Sequence, residues 1–259
     1  MNTTELVVFG VGQLGRLFAG GALRLGLRVT PVTRRTDRMA LWDQLPEGTP
    51  IVIAVREADL ASAIADIPPS RRVGQLILVQ NALFAPLWMQ YGAQAPTTVV
   101  LWTNVKPRVP MLVGRSTGLY GPHASLMAAI HEELGLPAQV LDTSEARDVE
   151  LVAKYAFILT INALGLIEDT TVGAWLHQDR PRVERVLNDA IRLGEHYAGR
   201  PCSLAHAKEA AFAGMEGMGE LKARGRSAAT RLKQALSDAS TAELAVDALK
   251  AIHTEASPL

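Results

Sequence analysis

Cysteine is nearly missing from this 259-residue chain: Cys202 is the only one. A single thiol excludes an intrachain disulfide framework and fits a reducing compartment, so the expected location is cytoplasmic. An excess of charge of one sign is missing too. The 26 basic residues are matched by 26 acidic ones, which gives neither nucleic acid nor an anionic membrane a general reason to bind. No run of about 18 apolar residues is free of charged and amide side chains, so no membrane span is read. The opening "MNTTELVVFG" lacks the basic stretch and long apolar core of a secretory leader. The six histidines show no metal-ligand spacing, and no metal is assigned. Lysine is scarce as well, with only Lys106, Lys154, Lys208, Lys222, Lys233 and Lys250 among the basic residues. Each therefore merits separate inspection.

What is present reads as two parts. Up to about residue 142, short runs rich in Val, Ile, Leu and Thr alternate with helical patterns: "ELVVFG", "LRVTPVT", "PIVIAV", "QLILVQ" and "TTVVLW" have strand lengths. Such alternation, with nearly continuous apolar strands, predicts a parallel sheet covered on both faces. "MLVGRSTGLYG" (111–121) reads as a further strand pair and "AQVLDT" (138–143) as a last strand. From Ser144, a plausible N-cap, a long helix is expected to run to Asp169, and everything beyond it is helical in pattern. The fold class is therefore α/β, a Rossmann-type doubly wound parallel sheet followed by an all-helical C-terminal domain. The expected boundaries are 1–143 for the dinucleotide-binding part and 144–259 for the helical part.

The first strand leads into "VVFGVGQLGRLFAGG", where Gly10, Gly12 and Gly15 have the G-x-G-x-x-G spacing. With a strand before and a helix after, this is the context a dinucleotide-binding turn requires. Gly10 permits the tight turn, Gly12 lets the backbone approach a pyrophosphate, and Gly15 allows helix and strand to pack closely. Val11, Gln13 and Leu14 complete the loop, whose helix start offers N–H donors to the phosphates. NAD sites usually end the second strand on an acidic residue; here it ends on Thr33, Arg34 and Arg35. Paired arginines suit the additional phosphate of NADP(H), because guanidinium binds phosphate through charge-assisted bonds. Asp37 is the rival, set a few residues late, where it can instead cap the next helix.

The helix "VELVAKYAFILTINALGLIED" (149–169) is apolar nearly all round, yet it carries Lys154 and Asn162. Lys154 and Glu150 form either a surface pair four residues apart or something buried with a purpose. Lys154, Ile158 and Asn162 step by four and so share one stripe, with Lys154 and Asn162 about 12 Å apart along the axis. A space lined by both could hold a small carbonyl compound.

Here the chain resembles the ketopantoate reductase family. The resemblance rests on the glycine loop, "LVQNAL" (78–83) with Asn81, Arg34, Arg56 after "PIVIAV", Lys154 and Asn162. It implies that Asn81, Arg34 and Arg56 contact the cofactor, that Lys154 is catalytic, and that Asn162 binds substrate. Ser227 in "GRSAATRL" corresponds to a substrate-binding serine and Glu243 to a more distant glutamate. Ile158 departs from the family, which has an asparagine there. The implied reaction reduces a small 2-oxo acid, with the lysine ammonium stabilising and protonating the developing alkoxide. A hydroxyisobutyrate or 6-phosphogluconate dehydrogenase-like enzyme, or a dinucleotide sensor without turnover, remains open, and a homodimer is expected by analogy. Lys106 is the rival lysine. Cys202, near His196 and His206 in sequence, reads as a structural thiol because no nucleophile motif surrounds it.

Overall fold

The protein is described by a computed structural model covering residues 4–79, 81, 84–105 and 110–256. Its backbone divides into two compact units: Met1–Met111 with Ser116–Arg147, and Leu112–Arg115 with Asp148–Leu259.

The first unit is built on strands β1 (Glu5–Phe9), β2 (Arg28–Val32), β3 (Ile51–Ile53), β4 (Leu76–Leu78), β5 (Thr97–Val100), β8 (Thr117–Tyr120) and β9 (Ala138–Val140). They lie in the order β2-β1-β3-β4-β5-β8-β9. Its helices are α1 (Gln13–Arg24), α2 (Arg38–Gln44), α3 (Leu60–Ala65), α4 (Ala85–Gln90) and α5 (Ala124–Glu133). Every residue of β1, β3, β4 and β5 is buried, as a sheet covered on both faces requires. Leu6, Val8, Val52, Ile77 and Val99 from the strands meet Phe18 of α1 and Met127 and Ile130 of α5 in one cluster. Pro31 interrupts no ladder because β2 is the edge strand, one of the few sheet positions proline tolerates.

The first five strands are parallel, but β8 runs antiparallel to β5, with Thr98 opposite Tyr120. Parallel neighbours need a long crossover, usually a helix. Between β5 and β8 the described residues contain only the two-residue strands β6 (Thr103–Asn104) and β7 (Leu112–Val113), so the chain returns in the opposite direction. The strand pair expected over 111–121 is thus divided: β8 joins the main sheet, while Leu112–Arg115 belongs with the helical unit. Helix α5 then supplies a crossover that brings β9 parallel to β8.

The second unit comprises α6 (Ser144–Ile167, continuing out of the first unit), α7 (Val172–Gln178), α8 (Arg180–Ala198), α9 (Leu204–Gly217), α10 (Ala228–Thr241) and α11 (Asp247–Ala256). Thr143 rather than Ser144 caps α6, its Oγ1 accepting from the Ala146 N–H at 3.1 Å. The helix ends at Ile167, two residues short of the expected Asp169. It is long and apolar enough to cross a membrane, yet 83% of its most apolar window is buried inside the protein. From Glu150 to Gly165 only Ile158 is partly exposed. Such a helix is hydrophobic all round because nearly every face of it is buried.

Candidate active site

In the first unit, four loops leave the same edge of the sheet, since β1, β2, β3 and β4 are parallel. They carry the glycine loop, Arg34 and Arg35, Arg56, and Asn81 respectively. Ligands of open α/β sheets bind at this edge. Gly10 has φ +93, and a Cβ there would stand 2.8 Å from the Ala54 carbonyl oxygen, so a side chain is excluded by both conformation and space. A Cβ on Gly15 would fall 1.9 Å from the Gly10 oxygen, the close helix–strand approach the spacing predicted. A Cβ on Gly12 would instead meet nothing within 4 Å. No side chain caps α1 and no acidic residue occupies its first turn. The N–H groups at its start, including those of Gln13 and Leu14, thus keep their anion-binding character.

A cavity of about 660 Å³ lies beside this loop, lined in part by Gly10, Val11, Arg34, Arg35, Arg38 and Arg56. Asp59 and Asp66 also line it, so its four arginines outnumber its carboxylates by two. Arg56 donates to both carboxylate oxygens of Asp59, at 2.7 and 3.1 Å. The same pair holds the Asp59 carboxyl below its ordinary range, the hydrogen bond being the main cause. Arg38 pairs with Asp66 and lies 5.5 Å from the centre of the Phe9 ring. Arg34 and Arg35 are exposed, on a turn closed by Thr33 N donating to Thr36 Oγ1 at 2.9 Å. Asp37 caps α2, its Oδ1 accepting from the Ala40 N–H at 3.3 Å, and is not part of the cavity lining. Arg38 was missed in the sequence; its position three residues after Arg35, at the start of an amphipathic helix, was the available signal. Asn81 is half-buried in the turn after β4, whereas its neighbours 80, 82 and 83 and the rival Lys106 lie outside the described residues.

In the second unit Lys154 is 5% exposed. Burial pushes its pKa from an ordinary value near 10.5 down to about 7, against the upward pull of the Glu150 charge. Its Nζ lies 5.0 Å from the centre of the Phe157 ring, a cation–π distance. Glu150, one turn earlier, is buried and gripped by Arg115: Nη2 to Oε1 at 2.9 Å and Nη1 to Oε2 at 3.1 Å.

Asn162 sits two turns beyond Lys154, but its amide already has partners. Nδ2 donates to the Ile158 carbonyl at 2.7 Å, and Oδ1 accepts from the Gly225 N–H at 3.0 Å. A Cβ on Gly225 would fall 2.4 Å from that Oδ1, so a side chain there would displace the Asn162 amide. Asn162 therefore holds the turn two residues ahead of Ser227. Ser227 is exposed, at the start of α10, and makes no capping hydrogen bond. Glu243 is exposed with φ +54, in the turn that ends α10. Cys202 is half-buried and its thiol is pushed up to about 12 by burial and the Glu195 charge, which disfavours the reactive thiolate.

No protein-family model matches the chain, and no curated protein matches it in sequence. Solved structures do match. A 2-dehydropantoate 2-reductase from Methylococcus capsulatus aligns with a TM-score of 0.68 and 13% identity, over 96% of this chain and 94% of that one. A D-mandelate dehydrogenase in complex with NADH aligns at 0.65 and 11%, over 97% of each chain. A dimeric ketopantoate reductase from Staphylococcus aureus aligns at 0.61 and 15%, again over 97% of each. The class these define is a Rossmann-type sheet followed by a helical unit. Within that class, this chain has the ketopantoate reductase fold, as the sequence resemblance implied. The chemistry has to be argued from its own side chains.

Proposed function

We propose that this chain is an NADPH-dependent reductase of a small 2-oxo acid, with Lys154 as the general acid. The observation that carries the reading is a lysine buried in an apolar helix whose pKa is brought to about 7. A general acid works best when its pKa lies near the operating pH. The reduced dinucleotide supplies the hydride. Lys154 as ammonium stabilises the negative charge developing on the carbonyl oxygen and then gives it a proton. The amine left behind is the form that burial favours.

The dinucleotide is held by the backbone of residues 10–15. Arg34 and Arg35, with Arg38 and Arg56 nearby, supply the positive excess that a 2′-phosphate needs. Asp37, engaged as a cap, is in no position to serve a 2′-hydroxyl in their place. Asn81, on the turn after β4, contacts the nicotinamide end. Asn162 contributes by seating the turn that carries Ser227, and Ser227 binds substrate. With Ile158 where the family has an asparagine and Phe157 beside Lys154, a 2-oxo acid with an apolar side chain is favoured over ketopantoate. Likeness to a D-mandelate dehydrogenase agrees with that preference, and likeness to a dimeric enzyme suggests a homodimer.

The first test is calorimetric titration with NADPH and NADH in parallel. NADPH is expected to bind at least about tenfold tighter, roughly 1.4 kcal/mol. Binding of neither would remove the oxidoreductase reading altogether. Lys154→Ala should then lower turnover of a 2-oxo acid by about 100-fold or more with NADPH affinity nearly unchanged. A dinucleotide sensor would have no turnover to lose.

A further inference from the structure

The arginines that line the cavity beside the glycine loop are not held alike. Among the described residues the Arg34 and Arg35 side chains make no hydrogen bond or ion pair. Arg38 is fixed from two sides, by the Asp66 carboxylate and by the Phe9 ring 5.5 Å away. Arg56 is held differently. A short 3-10 turn, Glu57–Asp59, follows it and brings Asp59 back over it, with the Asp59 N–H donating to the Arg56 carbonyl at 2.9 Å. The Arg56 guanidinium then donates to both Asp59 oxygens, at 2.7 and 3.1 Å, and has no other partner among the described residues. This fork engages the same planar donors with which an arginine grips a phosphate. We propose that Asp59 is a specificity-determining residue for the dinucleotide: it serves as a built-in counter-ion for Arg56, which a 2′-phosphate has to displace to gain that arginine.

The charges around Asp59 give the direction of the effect. Its carboxyl is held below the ordinary range chiefly by the Arg56 hydrogen bond, and the Arg34 charge adds to this. The carboxylate therefore stays ionised at neutral pH, within the field of the arginine that the NADPH reading assigns to the phosphate. A 2′-phosphate meets competition for Arg56 and repulsion from Asp59 together. A 2′-hydroxyl meets neither. Asp59 thus narrows the advantage that the arginines give to the phosphorylated cofactor. The competition is a moderate one, because the Asp59 side chain is 44% exposed and exposed ion pairs are weak enough for a phosphate to displace.

The inference rests on the NADPH reading, so the probes isolate the 2′-phosphate. Adenosine 2′,5′-bisphosphate and adenosine 5′-monophosphate are titrated calorimetrically into the full chain. Asp59→Asn is expected to tighten the bisphosphate by at least about threefold, the scale of an exposed ion pair, and to leave the monophosphate unchanged. Asp59→Ser should act in the same direction and serves if the first variant folds poorly. In an Arg56→Gln background the gain from Asp59→Asn should shrink, because the arginine it releases is gone. An unchanged or weaker bisphosphate affinity in Asp59→Asn overturns the proposal, since Asp59 would then be aiming Arg56 at the phosphate or only closing a turn. Weaker monophosphate binding also overturns it and makes Asp59 an acceptor for a ribose hydroxyl. An undiminished gain in the Arg56→Gln background leaves repulsion alone and overturns the counter-ion role. A wild type with no preference for the bisphosphate overturns the NADPH reading itself, which is read without any Asp59 variant and is a separate result.

Discussion

Lys154 combines a stability cost with the chemical use proposed for it. Its pKa in the folded chain lies below the value of an exposed lysine, so between about 7 and 10.5 the unfolded chain holds the extra proton. Stability should therefore rise with pH across that window and be lowest below it. Thermal unfolding from pH 6 to pH 10 checks the sign, and Lys154→Met should both raise the melting temperature at pH 6 and flatten the profile. Activity should move the opposite way. A reaction needing the ammonium form should lose about tenfold in kcat/KM per pH unit above the lysine's pKa. The i,i+4 spacing of Glu150 and Lys154 is local and legible in the sequence; the grip of Arg115 on Glu150 spans 35 positions, a separation at which no periodicity operates.

At the scale of elements, buried side chains do work that the helices' own sequences leave undone. Asp189 of α8 is 5% exposed. Its Oδ2 accepts from the N–H groups of Ala248 and Leu249 at 2.8 and 3.2 Å, capping α11 from another helix. Asp189→Ala should cost about 1–2 kcal/mol, the usual price of a lost cap, measured by urea unfolding. Gly165 allows α6 and the chain at 223–224 to touch, since a Cβ there would fall 2.4 Å from the Arg224 nitrogen. Gly165→Val should therefore unseat the turn that Asn162 holds, with a loss of stability larger than any helix-propensity gain. The long helix was legible from its apolar run, and its buried character from the lack of a polar face. Asn162's clamp was not, because the residue it seats, Gly225, lies 63 positions further on.

For the whole molecule, the prediction concerns the cofactor. Arg34→Ser should weaken NADPH by about 10-fold or more, the loss of a charge-assisted contact, and leave NADH little changed, as read by calorimetry. Equal weakening of both would assign Arg34 a role unrelated to the extra phosphate. What the sequence by itself determined is set by local periodicity and by glycine's steric freedom. The alternation of strand and helix, the change to an all-helical second part, the tight glycine turn at 10–15 and the unusual lysine all follow from patterns within some twenty residues. What only the tertiary structure decided depends on which distant segments meet: the antiparallel return of β8, the arginine-rich cavity that includes Arg38, Arg115 on Glu150, and Asn162 under Gly225. These are consequences of chain reversal and burial, where desolvation makes the partner of each polar group matter, and no local pattern names that partner.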